Sequence, residues 1–318
     1  MAIAECDARA RERARHLTRA AAFECADELL GREDIDAVVV SAPTGLNAGI
    51  AISAARAGKH VYIEKPGVIS RREALDLQQT VRQAGVRAVI GFNRRYHPLC
   101  KQARKLISAG AIGSVRSVVS TFCEPLPPET MPTWKRRRST GGGALLDLAS
   151  HHVDLLRWLL DDEVGEARTT VASDITEDDR AWLQLRTQKG VESCGFFSFR
   201  TGRADWLEFA GESGTLRLDR HRSTLSVRVS RKFGYGVRSA LQFPPMDLLR
   251  WWAVRRMRPS YEPSYRLALS AFVESIQRKN AGVAFLEDGL RSVDVLFAAE
   301  ESAQRGEPVP APLGPCAS

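Results

Sequence analysis

The first third of the chain alternates short apolar segments with longer amphipathic ones, and few folds accommodate this alternation. Residues 37–40 (Ala-Val-Val-Val) follow an acidic turn and predict a buried strand, and residues 60–63 and 87–91 predict two more. Helices are predicted between them, over residues 47–57 and 71–84. Strands that alternate with helices of this length predict a parallel sheet covered on both faces.

The pattern changes near Gly113. Residues 114–122 predict a strand, and residues 144–160 predict a helix that follows three consecutive glycines. Residues 166–229 then contain several strand-like segments separated by turns, which predicts an open, mostly antiparallel sheet. The tail after Gly306 is rich in proline, and we expect it to be loose.

These patterns predict a two-domain protein. We expect an α/β domain with a parallel sheet over residues 1–113 and an α+β domain over residues 114–318, which would carry the substrate and oligomerisation surfaces. Nucleotide-binding α/β domains open with a strand, a glycine-rich turn and a helix, because the pyrophosphate binds at the N-terminus of that helix. No G-x-G-x-x-G occurs here; residues 2–5 resemble the end of a strand, and residues 8–22 predict a helix.

The parallel sheet is therefore expected to be truncated at its start. In the strand order 3-2-1-4-5-6 the first strand lies in the middle of the sheet. Its absence would leave backbone donors and acceptors of two neighbouring strands unpaired.

Composition and charge exclude several classes of protein. The apolar segments are too short to span a bilayer, and the six cysteines show neither a CxxC motif nor zinc spacing, so we expect no metal and a cytoplasmic enzyme. Lysine and arginine exceed aspartate and glutamate by 46 − 38 = 8, but no recognition motif supports nucleic-acid binding. Residues 247–258 (DLLRWWAVRRMR) leave open a membrane-interface helix or a segment that packs its aromatic side chains, and their scattered arginines favour the second.

Five short motifs follow one another along the chain. They are residues 41–44 (SAPT), 64–66 (EKP), 91–95 (GFNRR), 142–151 (GGALLDLASH) and 211–216 (GESGTL). In this order they resemble signature stretches of the Gfo/Idh/MocA (glucose-fructose oxidoreductase / inositol dehydrogenase) family, and the resemblance covers nearly the whole chain. It implies a Rossmann-like dinucleotide-binding domain and the cofactor NAD, with NADP as the alternative.

The resemblance implies that Lys65, Asp147 and His151 are the catalytic residues. Lys65 directly follows a predicted parallel strand, where ligands bind in such folds, and an ammonium group there can stabilise a developing alkoxide. Asp147 and His151 lie four positions apart and share one helix face, and an imidazole can accept a hydroxyl proton at neutral pH. Taken singly, each of these three residues also fits a structural role. We assign a structural role to the neighbouring His152.

The resemblance further implies a set of cofactor-binding residues, namely Glu5, Ser41, Pro43, Thr44, Asn47, Glu64 and Lys65. Glu5 lies where an acidic residue holds the ribose hydroxyls, and a carboxylate there repels the 2′-phosphate of NADP. The alternative for Glu5 is a solvated charge at a strand end. Asn47 stands where the family commonly carries histidine, and it still offers a donor and an acceptor.

The implied substrate-binding residues are Asn93, Arg94, Trp134 and Lys135. A flat apolar ring beside cations suits a sugar, with or without a phosphate or nucleotide. The alternative for the basic segment at 135–138 is a solvated loop, and Arg94 and Arg95 are ambiguous in the same way.

The expected activity is NAD(P)-dependent interconversion of a secondary alcohol and a ketone on a sugar, cyclitol or sugar nucleotide. Two rivals stay open: a non-catalytic binding or scaffold protein, and a glycosidase that uses NAD transiently. Family members often pair through the open sheet, so a homo-oligomer is expected. We expect neither nucleic acid nor a membrane as a partner.

Overall fold

The computed structural model describes residues 1–229, 238–239, 253–254, 256–257, 262–278 and 285–311. The segment at 247–258 therefore lies outside the described residues at all but four positions. The first elements are, in chain order, β1 (Ala2–Ala4), α1 (Ala8–Thr18), β2 (Ala21–Phe23), α2 (Ala26–Leu30), β3 (Ala37–Val40), α3 (Thr44–Arg56), β4 (His60–Ile63), α4 (Arg71–Ala84), β5 (Ala88–Ile90) and α5 (Pro98–Ser108).

The predicted parallel arrangement is confirmed, but the strands form two separate pieces. β1 pairs with β2, and β3, β4 and β5 form a three-stranded sheet in that order, with every pair parallel. In the part of the chain that the structure describes, β1 and β3 share no ladder. The classic strand order places one more strand between them, and Val39 on β3 is 53% exposed.

The β1–α1–β2–α2 unit attaches to the larger piece through α2. Leu30 is buried with Val40 and Ala51 in the core of the three-stranded sheet, and Leu29 packs against the same cluster. Helix α1, by contrast, buries none of its residues. The unit is therefore held by few apolar side chains.

One prediction in this region is wrong. The helix expected over residues 8–22 ends at Thr18, because Arg19 adopts a left-handed conformation with φ of 55° and caps it. The next residues form β2, whose three residues, Ala-Ala-Phe, are too few to show an alternating pattern.

Within the residues that the structure describes, the second part of the chain contains a larger sheet and several helices. The strands are β6 (Val115–Cys123), β7 (Val164–Ala172), β8 (Arg180–Thr187), β9 (Glu192–Ser198), β10 (Ala204–Gly211), β11 (Gly214–Asp219), β12 (Thr224–Val229), β13 (Arg238–Ser239) and β14 (Val309–Pro310). The helices are α6 (Ser150–Leu160), α7 (Ser264–Arg278) and α8 (Leu286–Arg305).

This sheet is open and mostly antiparallel, as predicted. Its order is β13-β12-β11-β10-β6-β9-β8-β7-β14, and only β6 and β9 run parallel. One face is buried under helices, with Phe197 and Phe209 in its core beside Val153 and Leu156 of α6. The other face leaves Trp182 40% and Val119 50% exposed among polar residues such as Gln184 and Glu208.

Two further predictions need correction. The tail after Gly306 is not loose throughout, because Val309 is buried and pairs with Ala167 at the sheet edge. The helix expected over residues 144–160 begins as a π-helical turn at Leu145–Ala149 and becomes α-helical only at Ser150.

The last two helices return to the three-stranded sheet. Phe272 on α7 contacts Tyr62 on β4 with ring centroids 5.8 Å apart, and Leu290 and Val293 on α8 are buried with Ile63. The carboxyl edge of β3, β4 and β5 consequently faces the larger sheet, and a cavity remains between them.

Candidate active site

The three strands of the parallel sheet deliver polar residues to one edge. β3 is followed by residues 41–44, β4 by Glu64 and Lys65, and β5 by Asn93 and Arg94. They border a cavity of about 380 Å³. The cavity is lined by Ser41, Ala42, Thr44, Asn47, Glu64, Lys65, Asn93, Arg94, Phe122, Glu124, Trp134, Lys135, Asp147, Leu148, His151, Arg220, Glu262 and Tyr265.

Asp147 sits between two lysines at the centre of this lining. Its Oδ1 lies 2.5 Å from the Nζ of Lys65, and its Oδ2 lies 2.6 Å from the Nζ of Lys135. Burial alone would raise the pKa of Asp147, but the two ammonium groups outweigh burial and lower that pKa to about 2. The carboxylate is therefore ionised at neutral pH.

The glycine-rich loop before Asp147 needs its glycines for close packing. Gly141 has φ of 90°, and a Cβ there would overlap the side chain of Thr44 at the start of α3. A Cβ on Gly142 would overlap the carbonyl oxygen of Lys135. The absence of side chains thus lets the loop bring Asp147 close to both lysines.

His151 lies on α6, four residues after Asp147, and lines the same cavity. Burial, reinforced by the positive charges of Arg94 and Lys65, holds its pKa well below the ordinary value of 6.5. Its Nδ1 is buried and has no hydrogen-bond partner among the described residues. The imidazole is consequently neutral and able to accept a proton.

A second ionic cluster borders the cavity opposite this group, and sequence reasoning missed three of its members. Asp205 accepts a hydrogen bond from Arg94 Nη1 at 3.0 Å and from Arg220 Nη1 at 3.2 Å, and its Oδ1 lies 3.1 Å from His152 Nε2. Arg220 also donates to Glu262 at 2.8 Å. Asp205, Arg220 and Glu262 come from distant parts of the chain and carry no local motif, so no signal in the sequence links them.

Two of the predicted cofactor residues do not line the cavity. Pro43 is exposed beside the first turn of α3, where its carbonyl accepts a hydrogen bond from Leu46. Glu5 lies at the carboxyl end of β1, where its Oε1 accepts a hydrogen bond from the backbone N–H of Asp7 at 2.9 Å. The other predicted site residues all border the cavity. Arg95, which the sequence left ambiguous, does not border it.

Two family models match the chain. A model of the oxidoreductase family with an NAD-binding Rossmann fold matches residues 1–92, and the model of the GFO/IDH/MocA C-terminal domain matches residues 100–217. The chain belongs to the Gfo/Idh/MocA family. It is thus an oxidoreductase of this family, and its first domain is the family's NAD-binding domain.

Relatives across the Gfo/Idh/MocA family agree with this assignment. The uncharacterized oxidoreductase YrbE of Bacillus subtilis is 28% identical over 291 residues, which cover 89% of this chain and 80% of the relative. Inositol 2-dehydrogenase 3 of Saccharopolyspora erythraea is 29% identical over 296 residues, which cover 90% and 80%. The crystal structure of the WlbA dehydrogenase of Bordetella pertussis in complex with NADH and UDP-GlcNAcA superimposes with a TM-score of 0.84 and 25% identity, covering 98% of this chain and 90% of that one.

The site fits the nicotinamide end of the family's cofactor. The Oδ1 of Asn47 is buried at the cavity and has no partner in the described part of the chain, while its Nδ2 donates to the carbonyl of Glu64 at 3.4 Å. A lone buried acceptor matches the amide N–H of a nicotinamide carboxamide. Thr44, Asn47 and Glu64 would hold that end.

None of the helices in the described residues is long and apolar enough to cross a membrane.

Proposed function

We propose that this Gfo/Idh/MocA protein interconverts a secondary alcohol and a ketone on a sugar, cyclitol or sugar nucleotide, with NAD as the cofactor. The observation that carries the proposal is the convergence of Lys65, Asp147 and His151 on one cavity from two different parts of the fold. The names of relatives, an inositol dehydrogenase and a dehydrogenase solved with a sugar nucleotide, point to the same substrate classes.

Each of the three residues has a role that follows from its surroundings. The Lys65 ammonium donates a hydrogen bond to the reacting oxygen and stabilises negative charge that develops there. Neutral His151 accepts the hydroxyl proton. Asp147 holds Lys65 in place. NAD, held at its nicotinamide end by Thr44, Asn47 and Glu64, would supply the hydride acceptor for the substrate carbon.

Substrate and cofactor contacts follow from the rest of the lining. The Trp134 ring, with the Lys135 ammonium 5.3 Å from its centroid, offers a flat face for a sugar ring. Asn93 is held by a 2.9 Å hydrogen bond from its Nδ2 to Ser264. Glu5, at the carboxyl end of β1, favours NAD over NADP because a carboxylate repels a 2′-phosphate.

We also propose that the open sheet face pairs two copies of the chain in the cytoplasm. Trp182 and Phe196 contact each other on that face with tilted rings whose centroids are 5.1 Å apart, and Val119 beside them is 50% exposed. Polar residues such as Gln184 and Glu208 surround this apolar cluster, and apolar patches with a polar rim mark interaction surfaces. The division near Gly113 would then separate a cofactor-binding domain from a domain that binds substrate and pairs with a second copy. Helices α7 and α8 belong to the second part of the chain but pack on the cofactor-binding domain.

The activity is tested by mixing the full chain with NAD and a panel of polyols and sugar nucleotides. We expect energy transfer from tryptophan to NADH on binding, and net NADH formation with at least one substrate. Cleavage of a glycoside without net NADH would instead identify a glycosidase. A folded chain that binds no NADH would identify a protein without cofactor chemistry, and both results would overturn the proposal.

A further inference from the structure

Two adjacent arginines after β5 lie in opposite environments. Arg95 donates from Nε and Nη2 to the Asp154 carboxylate at 2.8 and 2.5 Å, and from Nη1 to Asp288 at 2.5 Å. Burial alone would lower the pKa of Arg95, but the two carboxylates outweigh burial and raise it. Its charge is fully neutralised within the protein, and it does not line the cavity.

Arg94 is equally buried but far less compensated. Among the described residues its guanidinium donates a single hydrogen bond, from Nη1 to Asp205. The Asp205 carboxylate also contacts Arg220 and His152. Burial therefore lowers the pKa of Arg94 to about 10 in spite of Asp205. The guanidinium lies 4.0 Å from the centroid of the Phe122 ring, which covers one of its faces, and the residue lines the cavity.

We propose that Arg94 binds a carboxylate of the substrate, so that the substrate class is a sugar acid. The inference rests on the proposed function, since it names the substrate of that same cavity. A guanidinium donates two parallel hydrogen bonds to a carboxylate, and this pairing is strongest where water is excluded. A neutral hydroxyl would accept one bond without compensating the buried charge.

The nearby acidic residues favour a singly charged group over a phosphate. Asp205 and Glu262 already place two carboxylates around Arg94 and Arg220. Both carboxylates repel a substrate dianion more strongly than a monoanion, and a single carboxylate can accept from the Arg94 N–H groups that Asp205 leaves unused. The test must therefore distinguish a carboxylate from a phosphate as well as from a neutral sugar.

The test compares the affinity of the full chain for three probes, D-glucuronate, D-glucose and glucose 6-phosphate, measured by titration calorimetry. We expect glucuronate to bind roughly tenfold to a hundredfold more tightly than glucose, and more tightly than glucose 6-phosphate. Equal affinities for glucuronate and glucose, or no binding of glucuronate, would overturn the inference. Tighter binding of glucose 6-phosphate would overturn the choice of a carboxylate.

Variants assign the preference to Arg94. Arg94→Met should reduce the glucuronate-to-glucose ratio to about one, whereas Arg116→Met, which removes an exposed arginine from β6, should leave it unchanged. Arg94→Lys keeps the charge without the planar fork, should fold even if the methionine variant does not, and should give an intermediate ratio. A ratio unchanged in Arg94→Lys and Arg94→Met would show that the acid is recognised elsewhere.

Failure of this inference is distinguishable from failure of the dehydrogenase proposal. NADH formation from neutral polyols without any preference for glucuronate overturns only the role of Arg94. A preference for glucuronate that is lost in Arg94→Met, in a chain that transfers no hydride, overturns only the proposed activity.

Discussion

The Nζ of Lys65 lies 2.5 Å from the Oδ1 of Asp147, although the two residues are 82 positions apart. The same ammonium donates to the backbone carbonyl of Asp147 at 2.8 Å. Lys65 follows β4 of the parallel sheet by two residues, whereas Asp147 belongs to the π-helical turn before α6. This ion pair joins the two parts of the fold at the point where we place the chemistry.

Replacing Lys65 by methionine should strongly reduce the rate of turnover. The methionine keeps the volume of the side chain but removes the ammonium that meets the reacting oxygen, and such groups contribute on the order of 10²–10⁴ in rate. Stopped-flow reduction of NAD measures the loss, and Lys105→Met on the exposed side of α5 is the matched control. A variant that retains wild-type kcat would exclude Lys65 from the chemical step.

Lys135→Met should move the acidic limb of the pH profile to higher pH. With one ammonium removed, less positive charge opposes the effect of burial, so the pKa of Asp147 rises from about 2 toward or above its ordinary 3.8. The variant then loses kcat/KM at acidic pH values where the wild type is still active. Lys135→Arg should restore the wild-type limb, and identical limbs in all three proteins would contradict this role.

The two buried histidines should make the free energy of unfolding decrease as the pH falls below 6.5. Burial is the largest cause that lowers the pKa of His151 and of His152 beneath their ordinary value of 6.5. Below that pH the unfolded chain takes up protons that the folded chain does not, so the free energy of unfolding decreases as the pH falls. Each histidine contributes a slope of up to about 1.4 kcal/mol per pH unit.

Urea unfolding between pH 5.5 and 7.5 measures this slope. His151→Asn and His152→Asn should each reduce it by about one proton, whatever their effect on stability at neutral pH. Slopes that do not respond to either buried substitution would show that both histidines titrate normally in the folded protein.

Trp182→Glu should dissociate the proposed assembly of two or more copies. The substitution places a charge at the centre of the exposed apolar face, where burial against a partner would leave it uncompensated. Sedimentation velocity should show a smaller species than the wild type, with unchanged secondary structure by circular dichroism. An exposed apolar position outside this face, Leu46 on α3, provides the control substitution Leu46→Glu.

Sequence patterns were sufficient where the chemistry is local. The β-branched residues at 37–40 and the segment at 60–63 predict strands because they are apolar over a strand's length, and the structure has both. Lys65 and Asn93 could be placed at one sheet edge because parallel strands end on the same side. Asp147 and His151 could be paired because four positions make about one helical turn.

Sequence patterns were not sufficient where the contacts are distant. Asp205 reaches Arg94, 111 positions away, because β10 pairs with β6 and sets Asp205 opposite Phe122, whose ring lies against the Arg94 guanidinium. Nothing near Asp205 distinguishes it from an exposed strand carboxylate. The π-helical turn was also hidden, because its residues are as good for an α-helix as for a π-turn.

The division of the parallel sheet has a consequence for the order in which the protein opens. Because β1 and β2 form no ladder with β3 in the described chain and Leu30 is their main buried anchor, residues 1–30 form a local cooperative unit with its own low opening free energy. Their amide hydrogens should exchange with solvent well before those of β4. Glu5, which we propose to select NAD over NADP, belongs to this unit and not to the cavity lining. We therefore expect opening of residues 1–30 to affect cofactor preference while Lys65, Asp147 and His151 stay in place.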